Sequence, residues 1–167
     1  MTVFVLMGVS GAGKSTVGRR VADELALTFI EGDEFHPQAN VQKMAGGTPL
    51  TDQDRVPWIE ALAQGINVRQ PPRDAIVACS ALSKLVRDLL RARVTEPLYF
   101  ILLHADAATI QQRLATRPRH FMKPGMLGSQ LAALQLPEDA LVVDVSHPFD
   151  VVCADVAGRI RSIIERR

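Results

Sequence analysis

Short, continuous apolar runs alternate along the chain with segments whose apolar residues recur at helical spacing. The runs at 2–7, 27–30, 75–80, 98–103 and 140–145 each have the length and composition of a buried β-strand. Strands that are apolar on both faces and separated by helices are typical of a parallel sheet covered on both sides. The pattern therefore predicts an α/β fold with a parallel five-stranded sheet. The segments that predict helices are 15–26, 57–68, 82–93, 106–117 and 149–167.

Two segments, about 34–55 and about 117–128, show only weak periodicity and contain Gly, Pro and charged residues. Long irregular segments within a compact domain are usually binding loops or lids. No repeat or interdomain linker interrupts the pattern, so the 167 residues are expected to form one domain.

Composition narrows the classes of function. A hydrophobic content of 47% and a formal net charge of +1 give no reason to expect nucleic acid or a membrane as a partner. The opening apolar run is too short for a signal peptide, and no run reaches the roughly 20 residues of a membrane span. Cys79 and Cys153 are expected to be reduced thiols of a cytoplasmic protein.

The stretch "MGVSGAGKST" follows the first predicted strand and opens the first predicted helix. It satisfies G-x-x-x-x-G-K-[ST], in which glycines and a helix N-terminus direct N–H groups at phosphate oxygens. Lys14 supplies charge to the terminal phosphates, and Ser15 offers a hydroxyl to Mg²⁺. The motif predicts Mg²⁺-dependent nucleoside triphosphate binding, but it does not distinguish a kinase from a switch or a motor. The predicted nucleotide-binding residues of the loop are Gly8, Ser10, Gly11, Ala12, Gly13, Lys14, Ser15 and Thr16.

The acidic turn "EGDEFHP" ends the second predicted strand. Ligands of open α/β sheets bind beyond the carboxyl ends of the strands, so this turn is expected beside the phosphate loop. A carboxylate there could orient Mg²⁺ or accept a proton from an acceptor hydroxyl. A solvated acidic turn without function is the alternative.

Several stretches beyond the phosphate loop make the chain resemble the gluconate kinase family of small P-loop kinases. They are "EGDEFHP", "NVQKMAGGTPLTDQDRVPWIEAL", "VACSALSKLVRDLLR", "RLATRPRHFM" and "LVVDVSHP". The resemblance implies a nucleoside-monophosphate-kinase-like three-layer fold with a mobile lid at about 117–128 and a substrate-binding segment at about 34–60. It also implies ATP-dependent phosphorylation of D-gluconate at its 6-hydroxyl, which feeds sugar-acid catabolism. Members of the family are commonly dimers, so a homodimer is compatible with the resemblance.

The resemblance assigns roles within the acidic turn. Asp33 matches the family's second acidic position and is expected to be the base that faces the sugar hydroxyl. Glu31 stands where the family usually has Asp, and it is expected to serve Mg²⁺, directly or through water. His36 either contacts substrate or caps the following loop.

Two further segments hold candidate substrate ligands. Asp52 and Asp54 suit helix capping, whereas Arg55 at a helix start is explained better by an anionic ligand such as a sugar-acid carboxylate. Ser80 suits an N-cap and is also placed to bind substrate. Lys84 and Arg87 match substrate-side positions of the family, although a solvated basic stripe is the usual meaning of their spacing.

Arginines of the predicted lid complete the candidate site. Arg113 and Arg117 share a helix face, which is unfavourable for like charges unless an anion such as a triphosphate is bound. Both are expected to contact ATP, and Arg117 is expected to act in catalysis. His120 matches the family's His-aromatic pair and is expected to reach gluconate.

Rival interpretations remain within and outside this enzyme class. A related small-molecule kinase, acting on shikimate or a nucleoside monophosphate, is the nearest alternative. "CSAL" stands where a shikimate kinase has a triple-glycine run, which argues against shikimate. A nucleotide-dependent switch is the rival from another class, but the base-reading N-K-x-D motif of switch GTPases is missing from the sequence.

Overall fold

The computed structural model describes residues 1–69, 74–116 and 126–167. A 3₁₀ turn, Gly32–Phe35, follows the second strand. The strands are β1 (Val3–Met7), β2 (Thr28–Glu31), β3 (Ala75–Ala78), β4 (Leu98–His104) and β5 (Leu141–Asp144). The helices are α1 (Lys14–Leu25), α2 (Gln38–Ala45), α3 (Asp52–Arg69), α4 (Lys84–Arg93), α5 (Ala107–Ala115), α6 (Met126–Ala133) and α7 (Phe149–Glu165).

The strands form one parallel sheet in the order β2-β3-β1-β4-β5. β1 is the central strand, and its Val5 lies opposite Val77 on one side and Phe100 on the other. All five residues of β1 are buried, as expected for a strand with helices on both faces. The predicted α/β class and five-stranded parallel sheet are confirmed.

Successive side chains of β1 point into two different cores. Phe4 and Leu6 pack with apolar residues of α1, α5 and α7, whereas Val3 and Val5 pack with those of α3 and α4. This division follows from the two-residue period of a strand. The result is a helix–sheet–helix sandwich whose carboxyl-end loops lie along one edge of the sheet.

The predicted elements differ from the observed ones mainly in the irregular segments. Two short helices, α2 and α6, were not predicted, and α3 begins five residues before the predicted start at 57. Thr51 and Asp54 explain that start, because each accepts a hydrogen bond from the other's main-chain N–H. Pro57 therefore lies in the second turn of α3, where it has no N–H group to donate to the carbonyl oxygen of Gln53.

In the three ranges that the structure describes, no helix has the length and apolar character needed to cross a membrane. Both cysteines are free and buried. Burial raises the pKa of the Cys79 thiol to about 12, so this residue is an apolar filler at the end of β3.

Candidate active site

The phosphate loop runs from the end of β1 to the start of α1. Gly13 caps α1 with a φ of 95°, a left-handed conformation that glycine adopts without strain. At Gly8, a Cβ atom would lie 2.6 Å from the carbonyl oxygen of Leu103, so a larger residue would collide with β4. The N–H group of Gly8 donates to the carbonyl oxygen of Ser80 at 3.2 Å. The loop is thus fixed against the carboxyl ends of both neighbouring strands.

Two cavities border this loop. Ser10 and Lys14 line the larger one, of about 350 Å³, whereas Gly11 and Thr16 line the smaller one, of about 230 Å³. Lys14 is the first residue of α1, and its ammonium group donates to the carbonyl oxygen of Val9 at 3.2 Å. Predicted nucleotide-binding residues therefore line both cavities.

The acidic turn follows β2 at the same edge of the sheet. A Cβ atom on Gly32 would collide with the carbonyl oxygen of Ala78, so glycine lets the turn approach β3 closely. The carbonyl oxygen of Gly32 accepts a hydrogen bond from the indole nitrogen of Trp58 at 2.8 Å. Asp33 comes next and lines the larger cavity with Lys14. The expected proximity of the acidic turn to the phosphate loop is confirmed.

Glu31 lies beside the start of α1. Its carboxylate accepts a hydrogen bond from the Ser15 hydroxyl and lies 3.5 Å from the Arg19 guanidinium. Burial raises the pKa of Glu31 above its ordinary value, and the neighbouring charge of Asp33 adds to this rise. The Ser15 hydrogen bond and the charges of Arg19 and Lys14 oppose it.

The pairing of Ser15 with Glu31 fits a hard divalent cation, which prefers hydroxyl and carboxylate oxygens. Within the described part of the chain, no group of three or more His, Cys, Asp or Glu side chains is arranged to hold a metal. A cation at this position would therefore need phosphate oxygens and water to complete its ligands, as is usual for Mg²⁺.

His36 lies in the wall of the larger cavity. Its imidazole stacks on the Trp58 ring, with centroids 4.0 Å apart, and only 5% of its side chain is exposed. The Asn40 amide nitrogen donates to the carbonyl oxygen of Asp54 at 2.8 Å and lies 3.4 Å from His36 Nδ1. Because an amide nitrogen is only a donor, Nδ1 accepts and the ring proton sits on Nε2, which faces Asp33 at 3.8 Å.

Burial is also the main influence on the titration of this ring. It lowers the pKa of His36, the charge of Arg55 lowers it further, and the charge of Asp33 opposes both. His36 therefore faces the cavity as a neutral imidazole that is held in place by Trp58 and Asn40. The sequence had left open whether this ring lines the site or caps a loop, and the structure places it in the cavity lining.

Six of the predicted polar site residues converge on the larger cavity. Apolar walls from α2, α3 and α4 surround them, including Met44, Trp58 and Val86. The remaining wall comes from α6. The predicted site residues that line this cavity are Ser10, Lys14, Asp33, His36, Arg55 and Ser80.

Arg55 lies in the first turn of α3. It lines the larger cavity, as Lys14 of the phosphate loop does. Its guanidinium donates to Asp52 at 3.0 Å, and 22% of its side chain is exposed. Asp54 accepts from Thr51 and from the Lys43 ammonium, and these hydrogen bonds lower its pKa to about 2. The capping interpretation of Asp54 is confirmed, and the guanidinium of Arg55 is left facing the cavity.

Helix α4 differs from its prediction. Ser83, rather than Ser80, caps the helix by accepting from the Val86 N–H group at 3.4 Å. Lys84 is 73% exposed and pairs with Asp88 at 2.5 Å. The alternative of a solvated basic stripe does not apply to Arg87, which is only 3% exposed.

The guanidinium of Arg87 has a structural partner. It donates to the carbonyl oxygens of Ala81 and Leu82, each at 2.9 Å, and so stabilises a turn in which Ala81 has a φ of 44°. Neither Arg87 nor Lys84 is among the described residues that line the larger cavity. Their substrate roles stay predictions that this geometry does not support.

Arg113 lies at the smaller cavity, together with Gly11, Thr16 and Phe149. Its guanidinium donates to the carbonyl oxygen of Val145 at the end of β5. This position fits contact with a nucleotide, as predicted. The other predicted lid residues, Arg117 and His120, lie outside the described residues.

The contribution of α6 to the site was not predicted from the sequence. The Gln130 side chain accepts a hydrogen bond from the Ser10 N–H group at 2.6 Å, and Ser129 also lines the larger cavity. A second glutamine, Gln135, accepts from the Lys84 N–H group at 2.5 Å. The only sequence feature that could have indicated this was a pair of glutamines in a mainly apolar stretch. Such a pair does not identify the groups that the glutamines bind.

Comparison with known proteins places this site in a family. A family model described as an AAA domain matches residues 3–137. The thermoresistant gluconokinase of Escherichia coli K12 is 44% identical over 164 residues, covering 95% of this chain and 93% of that protein.

Solved structures agree with this relationship. An unliganded sugar kinase from Janibacter sp. HTCC2649 superposes with a TM-score of 0.84 at 39% identity, covering 93% of this chain and 92% of that chain. A gluconokinase from Sinorhizobium meliloti 1021 gives 0.80 at 36% identity, covering 96% and 95% respectively. On the combined evidence of its phosphate loop, its fold and these relatives, the chain belongs to the gluconokinase family of P-loop kinases.

Proposed function

We propose that this protein transfers the γ-phosphoryl group of Mg-ATP to the 6-hydroxyl of D-gluconate. The observation that carries the proposal is the larger cavity, where Lys14 of the phosphate loop, Asp33 of the acidic turn and Arg55 of α3 meet. A phosphoryl acceptor in this cavity would lie between a phosphate-binding group, a carboxylate base and a cation. Because the chain belongs to the gluconokinase family, gluconate is the acceptor that we propose.

The two cavities divide the substrates between them. We assign ATP to the phosphate loop and the smaller cavity, where Arg113 and Thr16 lie, and gluconate to the larger cavity. Lys14 reaches the larger cavity, so its charge is available to the group in transfer. Arg117 is proposed to add charge there, although it lies outside the described residues.

Asp33 is the proposed general base. It accepts the proton of the 6-hydroxyl while the oxygen–phosphorus bond to gluconate forms and the bond to the ADP oxygen breaks. His36 Nε2 lies 3.8 Å from the Asp33 carboxylate, and the imidazole is proposed to help position that group. Arg55 is proposed to bind the gluconate carboxylate, with Ser80 and His120 as further substrate contacts.

Ser15 and Glu31 are the residues proposed to hold Mg²⁺. When bound, the ion would neutralise charge on the phosphate oxygens of ATP. The Ser15 hydroxyl and the Glu31 carboxylate position each other through their hydrogen bond, and each would offer an oxygen to the ion.

Organisation of the molecule is part of the same proposal. We propose a single domain with a substrate-binding segment at about 34–60 and a lid at about 117–128. The buried free thiols of Cys79 and Cys153 support a cytoplasmic location, where thiols stay reduced. Assembly as a homodimer stays a prediction.

ADP release, measured over a panel of acceptors, tests the function. The panel contains gluconate, glucose, shikimate and a nucleoside monophosphate, each with ATP and with or without Mg²⁺. We expect that, of these acceptors, only gluconate causes ADP release from ATP and that the release requires Mg²⁺. The product is expected to be gluconate phosphorylated at the 6-position. Release with shikimate or the monophosphate but none with gluconate would overturn the substrate assignment. Release that is independent of every acceptor would favour a nucleotide switch.

A further inference from the structure

The segment that contains α6 is attached to both halves of the larger cavity. At one end, Gln130 accepts the Ser10 N–H group of the phosphate loop at 2.6 Å. At the other end, Gln135 accepts the Lys84 N–H group at 2.5 Å, and its own N–H group donates to the Leu82 carbonyl oxygen at 2.9 Å. The segment therefore bridges the nucleotide-binding loop and the turn after β3.

The Ser10–Gln130 hydrogen bond spans 120 residues of sequence and lies at the boundary between the two cavities. Ser10 lines the larger cavity, whereas the next residue, Gly11, lines the smaller one. A nucleotide that moved the Ser10 N–H group would therefore act directly on the Gln130 side chain. Gln130 and its helical neighbours Met126 and Ala133 are themselves part of the acceptor wall.

The geometry points to Gln130 as a positioning residue that couples nucleotide binding to acceptor binding. A nucleotide that orders the phosphate loop fixes Ser10, and the Ser10–Gln130 hydrogen bond then fixes α6 in the wall of the larger cavity. The acceptor then binds to a wall that is already ordered, so the two ligands increase each other's affinity. Gln135 secures the same wall to the turn after β3 and has no contact with the phosphate loop in the described structure.

A net hydrogen-bond contribution of about 0.5–1.5 kcal/mol corresponds to a coupling factor of about 2- to 12-fold. The inference rests on the proposed function for the identity of the acceptor. Gln130→Met and Gln135→Met form a matched pair, because each replaces the amide by an apolar group of similar length. Gln130→Met removes the hydrogen bond to Ser10, whereas Gln135→Met removes the side-chain hydrogen bond to Lys84 and keeps the main-chain one to Leu82.

Gluconate affinity gives the first test. Trp58 is the single tryptophan of the chain and lines the acceptor cavity, so its fluorescence reports gluconate binding. The gluconate Kd is measured with and without a saturating non-hydrolysable ATP analogue and Mg²⁺. We expect the analogue to tighten gluconate binding to the wild-type protein and Gln130→Met to lose about 2- to 12-fold of that effect. Gln135→Met is expected to weaken gluconate binding equally with and without the analogue.

Hydrogen exchange gives a second test that does not depend on gluconate. The analogue alone is expected to protect the amides of 126–136 in the wild-type protein and in Gln135→Met, but not in Gln130→Met. Equal coupling and equal protection in both variants would overturn the inference, as would a wild-type coupling factor of one. If gluconate does not bind to the wild-type protein, the proposed acceptor is wrong, and the exchange experiment still decides the role of Gln130.

Discussion

The indole nitrogen of Trp58 donates a hydrogen bond to the carbonyl oxygen of Gly32 over 2.8 Å, joining α3 to the turn that carries Asp33. Both partners are buried, and Gly32 is already pressed against the end of β3. The other face of the turn is held by the stacking of His36 on the Trp58 ring. A single core side chain thus fixes the position of the proposed base and of its imidazole neighbour.

Trp58→Phe is expected to lower the free energy of unfolding by about 1–3 kcal/mol. Phenylalanine keeps an aromatic ring beside His36, but it leaves the buried Gly32 carbonyl oxygen without its donor. Urea denaturation followed by circular dichroism measures the change. An unchanged unfolding midpoint would show that water or another donor replaces the indole.

Asp33→Asn is expected to fold, to bind ATP and to lose about 10²- to 10⁴-fold in kcat, because an amide keeps the shape but accepts no proton. Glu34→Gln is the matched control, since Glu34 lies in the same 3₁₀ turn and is exposed. Steady-state kinetics on both variants tests the assignment. If Asp33→Asn keeps more than about half of the wild-type kcat, Asp33 is not the base, and Glu31→Gln becomes the next variant.

Arg55→Ala is expected to raise the gluconate KM by about 10- to 150-fold, which corresponds to losing a charge-assisted hydrogen bond of about 1.5–3 kcal/mol. The KM for ATP is expected to stay near the wild-type value, because Arg55 lies in the larger cavity. Lys84→Ala removes an exposed cation outside that cavity and should leave both values nearly unchanged. A larger effect at Lys84 than at Arg55 would transfer carboxylate recognition to α4.

Arg87→Ala is expected to act through stability, lowering the free energy of unfolding by about 1.5–3 kcal/mol. The substitution removes a buried guanidinium, which takes the side-chain donor from the carbonyl oxygen of Ala81 and leaves that of Leu82 with the Gln135 N–H group. Arg87→Lys should recover part of the loss, because an ammonium group also donates hydrogen bonds. Wild-type stability combined with a raised gluconate KM would instead establish Arg87 as a substrate ligand.

Acidification is expected to destabilise the protein through His36. Since burial lowers the pKa of His36 in the folded state, the unfolded chain binds more protons below its ordinary pKa of 6.5. Stability attributable to this ring is therefore complete above pH 6.5 and is lost as pH falls toward the folded-state pKa. The slope from one proton is at most about 1.4 kcal/mol per pH unit.

Denaturant midpoints of the wild-type protein and of His36→Gln, measured between pH 7.5 and pH 5, test this expectation. The variant should lose less stability than the wild-type protein over that interval. Parallel pH dependence in the two proteins would assign the acid sensitivity to other groups.

The sequence by itself determined the sheet, the phosphate loop and the position of the acidic turn. Apolar runs such as 98–103 specify buried strands because their period and length are local properties. The spacing of Gly8, Gly13 and Lys14 specifies a phosphate loop because the loop is one continuous stretch of chain. Parallel strands then bring their carboxyl-end loops to one edge, so Asp33 could be predicted to lie near Lys14.

Tertiary structure decided which polar side chains of these loops face the cavity. Arg87 follows Lys84 by three residues on the same helix, yet one is buried on main-chain carbonyls and the other is exposed. Helical periodicity gives the spacing of such residues, but it does not show that the turn before the helix directs two carbonyl oxygens at Arg87. Gln130 meets Ser10 across 120 residues for the same reason: that contact exists only once α6 packs against the sheet edge, and no local pattern encodes it.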